Sequence, residues 1–150
     1  MRDYDNQTDY YVRYNYKMTD IQAALGISQL KHLPRFIKIR REIANKYHRE
    51  LKDMCVLPAN YDTDWGHIYY RYVIKLSHGL KSFLKLSKEK GINGERPVFK
   101  PLHRYLSLSN LPNTDRVWEQ AASIPIYPTL TGKNTDSIIT CVKQAIEALR

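Results

Sequence analysis

The apolar positions change period along the chain, and the changes mark its elements. Phe36, Ile39, Ile43, Tyr47, Leu51 and Met54 recur at spacings of three and four. That lays them on one stripe of a helix ending before Pro58 and predicts that the stripe is core. From Ile68 to Leu76 the period falls to two, with Ile68, Tyr70, Tyr72, Ile74 and Leu76 on one face and Tyr69, Arg71, Val73 and Lys75 on the other, as in a half-buried strand. Leu80, Phe83, Leu84 and Ser87 outline a short helix stopped by Gly91, after which Gly94 and Pro97 bound a brief extended piece through Val98 and Phe99. Thr114 is placed to cap a helix carrying Val117, Trp118 and Ala121. Pro125 and Pro128 force an extended segment through Ile126 and Tyr127, and Ile138, Ile139, Val142, Ile146 and Leu149 outline a terminal amphipathic helix.

Upstream, Tyr14 to Leu30 reads YNYKMTDIQAALGISQL. Thr19 and Gln22 have the spacing of a capping box, so a helix is predicted from about Asp20. Ala23, Ala24 and Gly26 are almost without bulk, and a helical glycine costs roughly 1 kcal/mol relative to alanine, so a close approach by another helix or a ligand is expected to use that space. The Leu33-Pro34 step predicts a break, with a kinked or paired helix following. Residues 1–13 carry turn formers and tyrosines without a period and read as an extended lead-in. Helices and short strands thus alternate, which predicts an α+β fold (α/β class), a small sheet flanked by helices rather than a full doubly wound sheet.

With 150 residues, 43% hydrophobic and 26% charged, the chain suits one ordinary domain and needs no metal or disulfide to hold a core. No apolar run approaches the roughly 20 residues of a membrane span, and the polar N-terminus is unlike a secretory or transit signal, so a cytoplasmic protein is expected. Cys55 and Cys141 are read as reduced structural thiols, and the five histidines form no metal-binding pair. The charge changes the picture more. A formal net charge of +9 raises nucleic acid as a partner. Much of the excess lies between Lys31 and Lys52 on one apparent helix, where a solvated basic face is the simpler reading than a phosphate-binding one. Trp65 and Trp118 are read as packing residues.

The block YNYKMTDIQAALGISQL, the helical LPRFIKIRREIANKYHREL, and then YYRYVIKL, KGINGERPVFKPLH and SIPIYPTLT resemble, in order and nearly end to end, the C-terminal part of the DegT/StrS family of pyridoxal-phosphate-dependent nucleotide-sugar aminotransferases. The resemblance implies the small domain of a fold type I aminotransferase, with residues 1–18 as a lead-in bearing a cofactor-phosphate motif and 19–150 as the domain. It implies pyridoxal phosphate as cofactor, a nucleotide sugar and an amino donor as small-molecule partners, and a homodimer when full length. It implies a ping-pong transfer of an amino group from a donor such as glutamate to a keto sugar nucleotide. No lysine here lies in a segment resembling the family's cofactor-lysine motif, so no catalytic residue is assigned, and the chain alone is expected to be inactive and to bind the cofactor poorly.

Asn15 matches the motif residue that in the family reaches the cofactor phosphate of the neighbouring subunit; shaping the turn before Thr19 is its alternative role. Lys17 stands where the family usually has Arg, turning a bidentate contact into a point charge, and Arg13 stands where Gly is usual. Arg71 occupies a position where the commoner pattern has His, either facing the active-site cleft or decorating the strand. His103, in KPLH, resembles a position on the active-site side of the small domain, against a purely structural hydrogen bond. Lys17, Arg71 and His103 are therefore the substrate-side candidates. Two other classes stay open: a basic nucleic-acid-binding module, with nucleic acid the less favoured partner, and a non-catalytic fragment that complements a separate large domain.

Overall fold

The computed structural model describes residues 16–59 and 66–149. Its elements are helix α1 (Asp20–Leu51), strand β1 (Tyr72–Lys75), helix α2 (Leu80–Glu89), a single turn α3 (Leu102–Tyr105), helix α4 (Pro112–Gln120), strand β2 (Ala121–Ile124) and helix α5 (Gly132–Glu147). The fold is α+β, with one small antiparallel sheet in which Tyr72 pairs with Ile124 and Lys75 with Ala121. The chain divides into two compact units, Met1–Leu33 and Pro34–Arg150.

In the first unit α1 starts where the capping box places it. The Thr19 N–H donates to Gln22 Oε1 at 3.0 Å and the Gln22 N–H to Thr19 Oγ1 at 3.3 Å, so each side chain satisfies a backbone donor that the helix start leaves open. The helix does not stop at Pro34, which lies inside it. Proline deletes one intrahelical donor, and the long run of good helix formers on either side carries the ladder past the gap. The break expected at Leu33-Pro34 is therefore not made: α1 is one helix from Asp20 to Leu51.

In the second unit Ile43, Tyr47 and Leu51 are buried with Ile39 and Met54 packed beside them, as the helical period requires. They share the core with Tyr72 and Ile74 of β1, Phe83 of α2, Ala122 and Ile124 of β2, and Val142 and Ile146 of α5. Tyr47 and Tyr72 meet edge to face at 5.0 Å, and burial raises the pKa of both hydroxyls. The Tyr47 hydroxyl donates to the Pro125 carbonyl at 2.7 Å. Helix α2 ends with Gly91 at φ 78°, as expected of a left-handed cap, and Thr131 caps α5 by accepting from the Asn134 N–H at 3.1 Å. Gly79, also left-handed at φ 74°, lies so close to the Leu149 side chain that a Cβ there would sit 2.8 Å from it.

Three local expectations are corrected. The alternation from Ile68 holds only from Tyr72 onward. Tyr69 turns left-handed at φ 49° and buries its own ring, leaving Ile68 and Tyr70 exposed. The second strand lies at Ala121–Ile124, ahead of Pro125 rather than beyond it, and Val98-Phe99 forms no strand, since the pairing on that side is an isolated bridge between Glu95 and Ser123. Helix α4 begins at Pro112, whose missing N–H suits a first helical position, so Thr114 is not its cap.

Candidate functional site

Arginine organises the second unit around the β1 entry. Arg40 lies in the middle of the apolar stripe of α1 and donates through one Nη1 to the carbonyls of Tyr69 and Tyr70, each at 3.1 Å, and of Ile126 at 2.7 Å. Arg41 donates to Gly66 and His67 carbonyls at 3.2 and 3.3 Å. These bonds hold the backbone on both sides of the left-handed Tyr69 residue, a conformation that costs of order 1–3 kcal/mol unless its surroundings fix it. Lys46 pairs with Asp136 at 2.6 Å and Lys143 with Glu50 at 2.7 Å. Arg40, Arg41 and Lys46 of the basic face thus have partners within the chain, Arg41 at an exposed position and Lys46 at a half-buried one.

The corner so held presents Arg71. Its Nη1 donates to the Pro97 carbonyl, and Arg71 and Glu95 line two neighbouring clefts. One, of about 610 Å³, is completed by Tyr70, Asn93, Tyr127 and Asn134; the other, of about 740 Å³, by Arg96, Pro97, Phe99 and Trp118. Among the described residues no carboxylate makes an ion pair with Arg71 or Arg96. Two guanidinium groups lie against the Trp118 ring, Arg96 at 4.0 Å and Arg104 at 4.4 Å from its centroid. Arg96 also donates to the Trp118 carbonyl.

Arg104 reaches Asp115 at 2.6 Å, and His103 Nε2 lies 3.1 Å from the same carboxylate oxygen. Partial burial works to raise the Asp115 pKa, but the hydrogen bonds and charges of Arg104 and His103 outweigh it and hold the carboxyl below its ordinary range. His103 is buried. A continuous series of contacts thus joins two of the expected residues, from Arg71 through Pro97, Arg96, Trp118, Arg104 and Asp115 to His103. Lys17 is exposed in the first unit, and Asn15 lies outside the described residues, as does Trp65.

Arg40, Arg96, Asp115 and the stacking role of Trp118 were not singled out from sequence. Arg40 carried a usable signal, since a guanidinium between Phe36 and Ala44 on an otherwise apolar stripe must find buried partners. The two cation contacts of Trp118 carried none, because Arg96 lies in the segment after α2 and Arg104 in α3, both distant from Trp118 in sequence.

Pyridoxal phosphate needs a lysine to hold it, and no lysine is buried here, nor does one line either cleft. The described residues do not by themselves fit that cofactor. Both thiols are free, and burial pushes the Cys55 pKa up to about 11, which keeps it protonated and inert. Among the described residues no group of His, Cys, Asp or Glu could hold a metal ion, and no helix is long and apolar enough to cross a membrane.

The second unit thus presents two clefts lined by Arg71, the second also by Arg96. Residues 1–143 match the model of the DegT/DnrJ/EryC1/StrS aminotransferase family, and the chain belongs to it. It is similar to a DegT DnrJ EryC1 StrS aminotransferase from Brucella abortus, with 26% identity and a TM-score of 0.79 over 92% of this chain and 39% of that one. The aminotransferase TlmJ from Streptoalloteichus hindustanus gives 25% identity and 0.79 over 87% of this chain and 37% of that one. Helicobacter pylori PseC, at 22% identity, shares the fold, with a TM-score of 0.83 over 99% of this chain and 43% of that one. The chain therefore spans less than half the length of these relatives.

Proposed function

We propose that this chain is the small-domain portion, residues 19–150 with 1–18 as lead-in, of a pyridoxal-phosphate-dependent aminotransferase that aminates keto sugar nucleotides, with the cofactor lysine supplied by another part of the assembled enzyme. The observation that carries the reading is the family match over residues 1–143. The pseudoaminic acid biosynthesis named for PseC supports a sugar as the acceptor. When bound, the cofactor supplies the amino-group carrier; this chain contributes binding and orientation. Arg71, fixed by the Arg40 struts and the Pro97 carbonyl, presents a cation to an anionic substrate, and His103 positions Arg104 and the 101–105 turn through Asp115. Asn15 is assigned to the cofactor phosphate of a neighbouring subunit and Lys17 to the substrate side as a point charge, in a cytoplasmic homodimer.

The test combines the full chain with the part of the Brucella abortus aminotransferase that it does not match, and follows 2-oxoglutarate formed from glutamate and a nucleotide-linked keto sugar. Turnover is expected from the pair and not from the chain alone. Turnover by the chain alone, with one stoichiometrically modified lysine after borohydride reduction with pyridoxal phosphate, contradicts the reading.

A further inference from the structure

Asn93-Gly94 is the chain's single Asn-Gly step. Asn93 is exposed and lines the first cleft, while Gly94 lines the second. The Gly94 N–H donates back to the Ile92 carbonyl at 3.1 Å, which makes Asn93 the centre of a three-residue turn. Asn93 Nδ2 donates forward to Glu95 Oε1 at 3.1 Å, so the side-chain amide is held on the side of the peptide that follows it. Glycine, with no Cβ, obstructs an approach to its own nitrogen less than any other residue. Nothing in the fold demands glycine there. Gly94 is not left-handed, unlike Gly79 and Gly91, and a Cβ on it would stand 3.4 Å from the Leu84 side chain and 3.6 Å from the Ser123 carbonyl, both ordinary contacts.

We infer that Asn93 is a site of spontaneous, backbone-assisted deamidation. The Gly94 nitrogen gives its proton to water and attacks Asn93 Cγ; the new C–N bond closes a succinimide ring as the Cγ–Nδ2 bond breaks and ammonia leaves. The turn bond to Ile92 opens for this, at the small cost usual for an exposed loop. Water then opens the ring. Cleavage at the former backbone carbonyl routes the main chain through Cγ as isoaspartate, and cleavage at Cγ gives aspartate; in both, water supplies the oxygen that replaces the lost nitrogen. Either product adds a carboxylate to the first cleft, whose charged lining residues are Arg71 and Glu95, and turns a balanced pair into a net negative wall. Isoaspartate also lengthens the backbone just ahead of Glu95, whose N–H and carbonyl pair with Ser123 at 3.0 and 2.7 Å, and so loosens that bridge to β2.

The test incubates the full chain at mildly alkaline pH and follows it by mass-spectrometric peptide mapping, with protein isoaspartyl methyltransferase labelling as the probe for isoaspartate. Asn93 should convert before any other asparagine, with isoaspartate as the larger product. Gly94→Ala should slow the conversion roughly tenfold or more, equivalent to about 1.4 kcal/mol of added barrier, with circular dichroism and unfolding midpoint close to wild type. Asn93→Gln should leave this segment unlabelled. Isoaspartate arises only through the cyclic route, so its presence at residue 93 supports the proposal even where Gly94→Ala loses the fold. Prior conversion of other asparagines, aspartate without isoaspartate at residue 93, or an equal rate in a folded Gly94→Ala overturns it.

Discussion

Helix α1 joins two stretches that owe their structure to different causes. Asp20–Leu33 has two formally charged residues, Asp20 and Lys31, and a reciprocal cap, and buries none of its large side chains. Pro34–Leu51 has eight charged residues, yet it buries Ile43, Ala44, Tyr47 and Leu51 and ties Arg40 to three carbonyls. The more polar stretch is the better anchored one. Apolar content measures what a helix needs to bury, and the arrangement on one stripe decides what it can bury within its own chain. Helices of about this length are marginal alone in water, so the first stretch depends on its cap and on propensity, and the second on packing.

The largest effect expected from this contrast comes from truncating matched residues. Tyr47→Ala or Leu51→Ala should cost about 3–5 kcal/mol in urea unfolding, from lost burial and the cavity left behind, whereas Leu25→Ala should stay within about 0.5 kcal/mol. Equal costs in the two stretches would erase the distinction. Arg40→Met comes next. It leaves the carbonyls of Tyr69, Tyr70 and Ile126 without their shared donor and should cost about 2 kcal/mol; Arg40→Lys should recover only part, because a single ammonium cannot reproduce the planar fork.

The pH response is smaller. Asp115 has its pKa lowered in the folded chain, so its contribution to stability is present above the unfolded carboxyl pKa and is lost as pH falls through the folded one. Asp115→Asn should flatten that acid limb, with an unfolding midpoint followed against pH as the check. Thr19→Ala should have the smallest reach. It should remove about 1 kcal/mol from the first turn of α1 only, visible as faster amide exchange near Asp20 with the global unfolding midpoint unchanged.

Much of this was legible in the chain. The period of three and four from Phe36 located the core stripe, Thr19 and Gln22 located the helix start, and Gly91 located the end of α2. Those signals are local, and local chemistry fixes them. The errors fall where a distant partner decides. Tyr69 turns left-handed within an alternating run because Arg40, 29 residues earlier, holds its carbonyl, and no spacing in the run itself reports that. Strand β2 settles at Ala121–Ile124 because its partner is β1, while the flanking prolines mark only where pairing stops. At the site, the resemblance singled out Arg71 and His103, but the arginine contacts with Trp118 that connect them are assembled from separate segments and show only in three dimensions.

The central claim, that the two stretches of α1 differ in what holds them, is tested most directly by residue-resolved amide hydrogen exchange on the full chain alone. The account predicts that amides of residues 38–51 exchange with protection close to that of global unfolding while those of residues 24–33 exchange orders of magnitude faster. Uniform protection from Ala24 to Leu51 would contradict it.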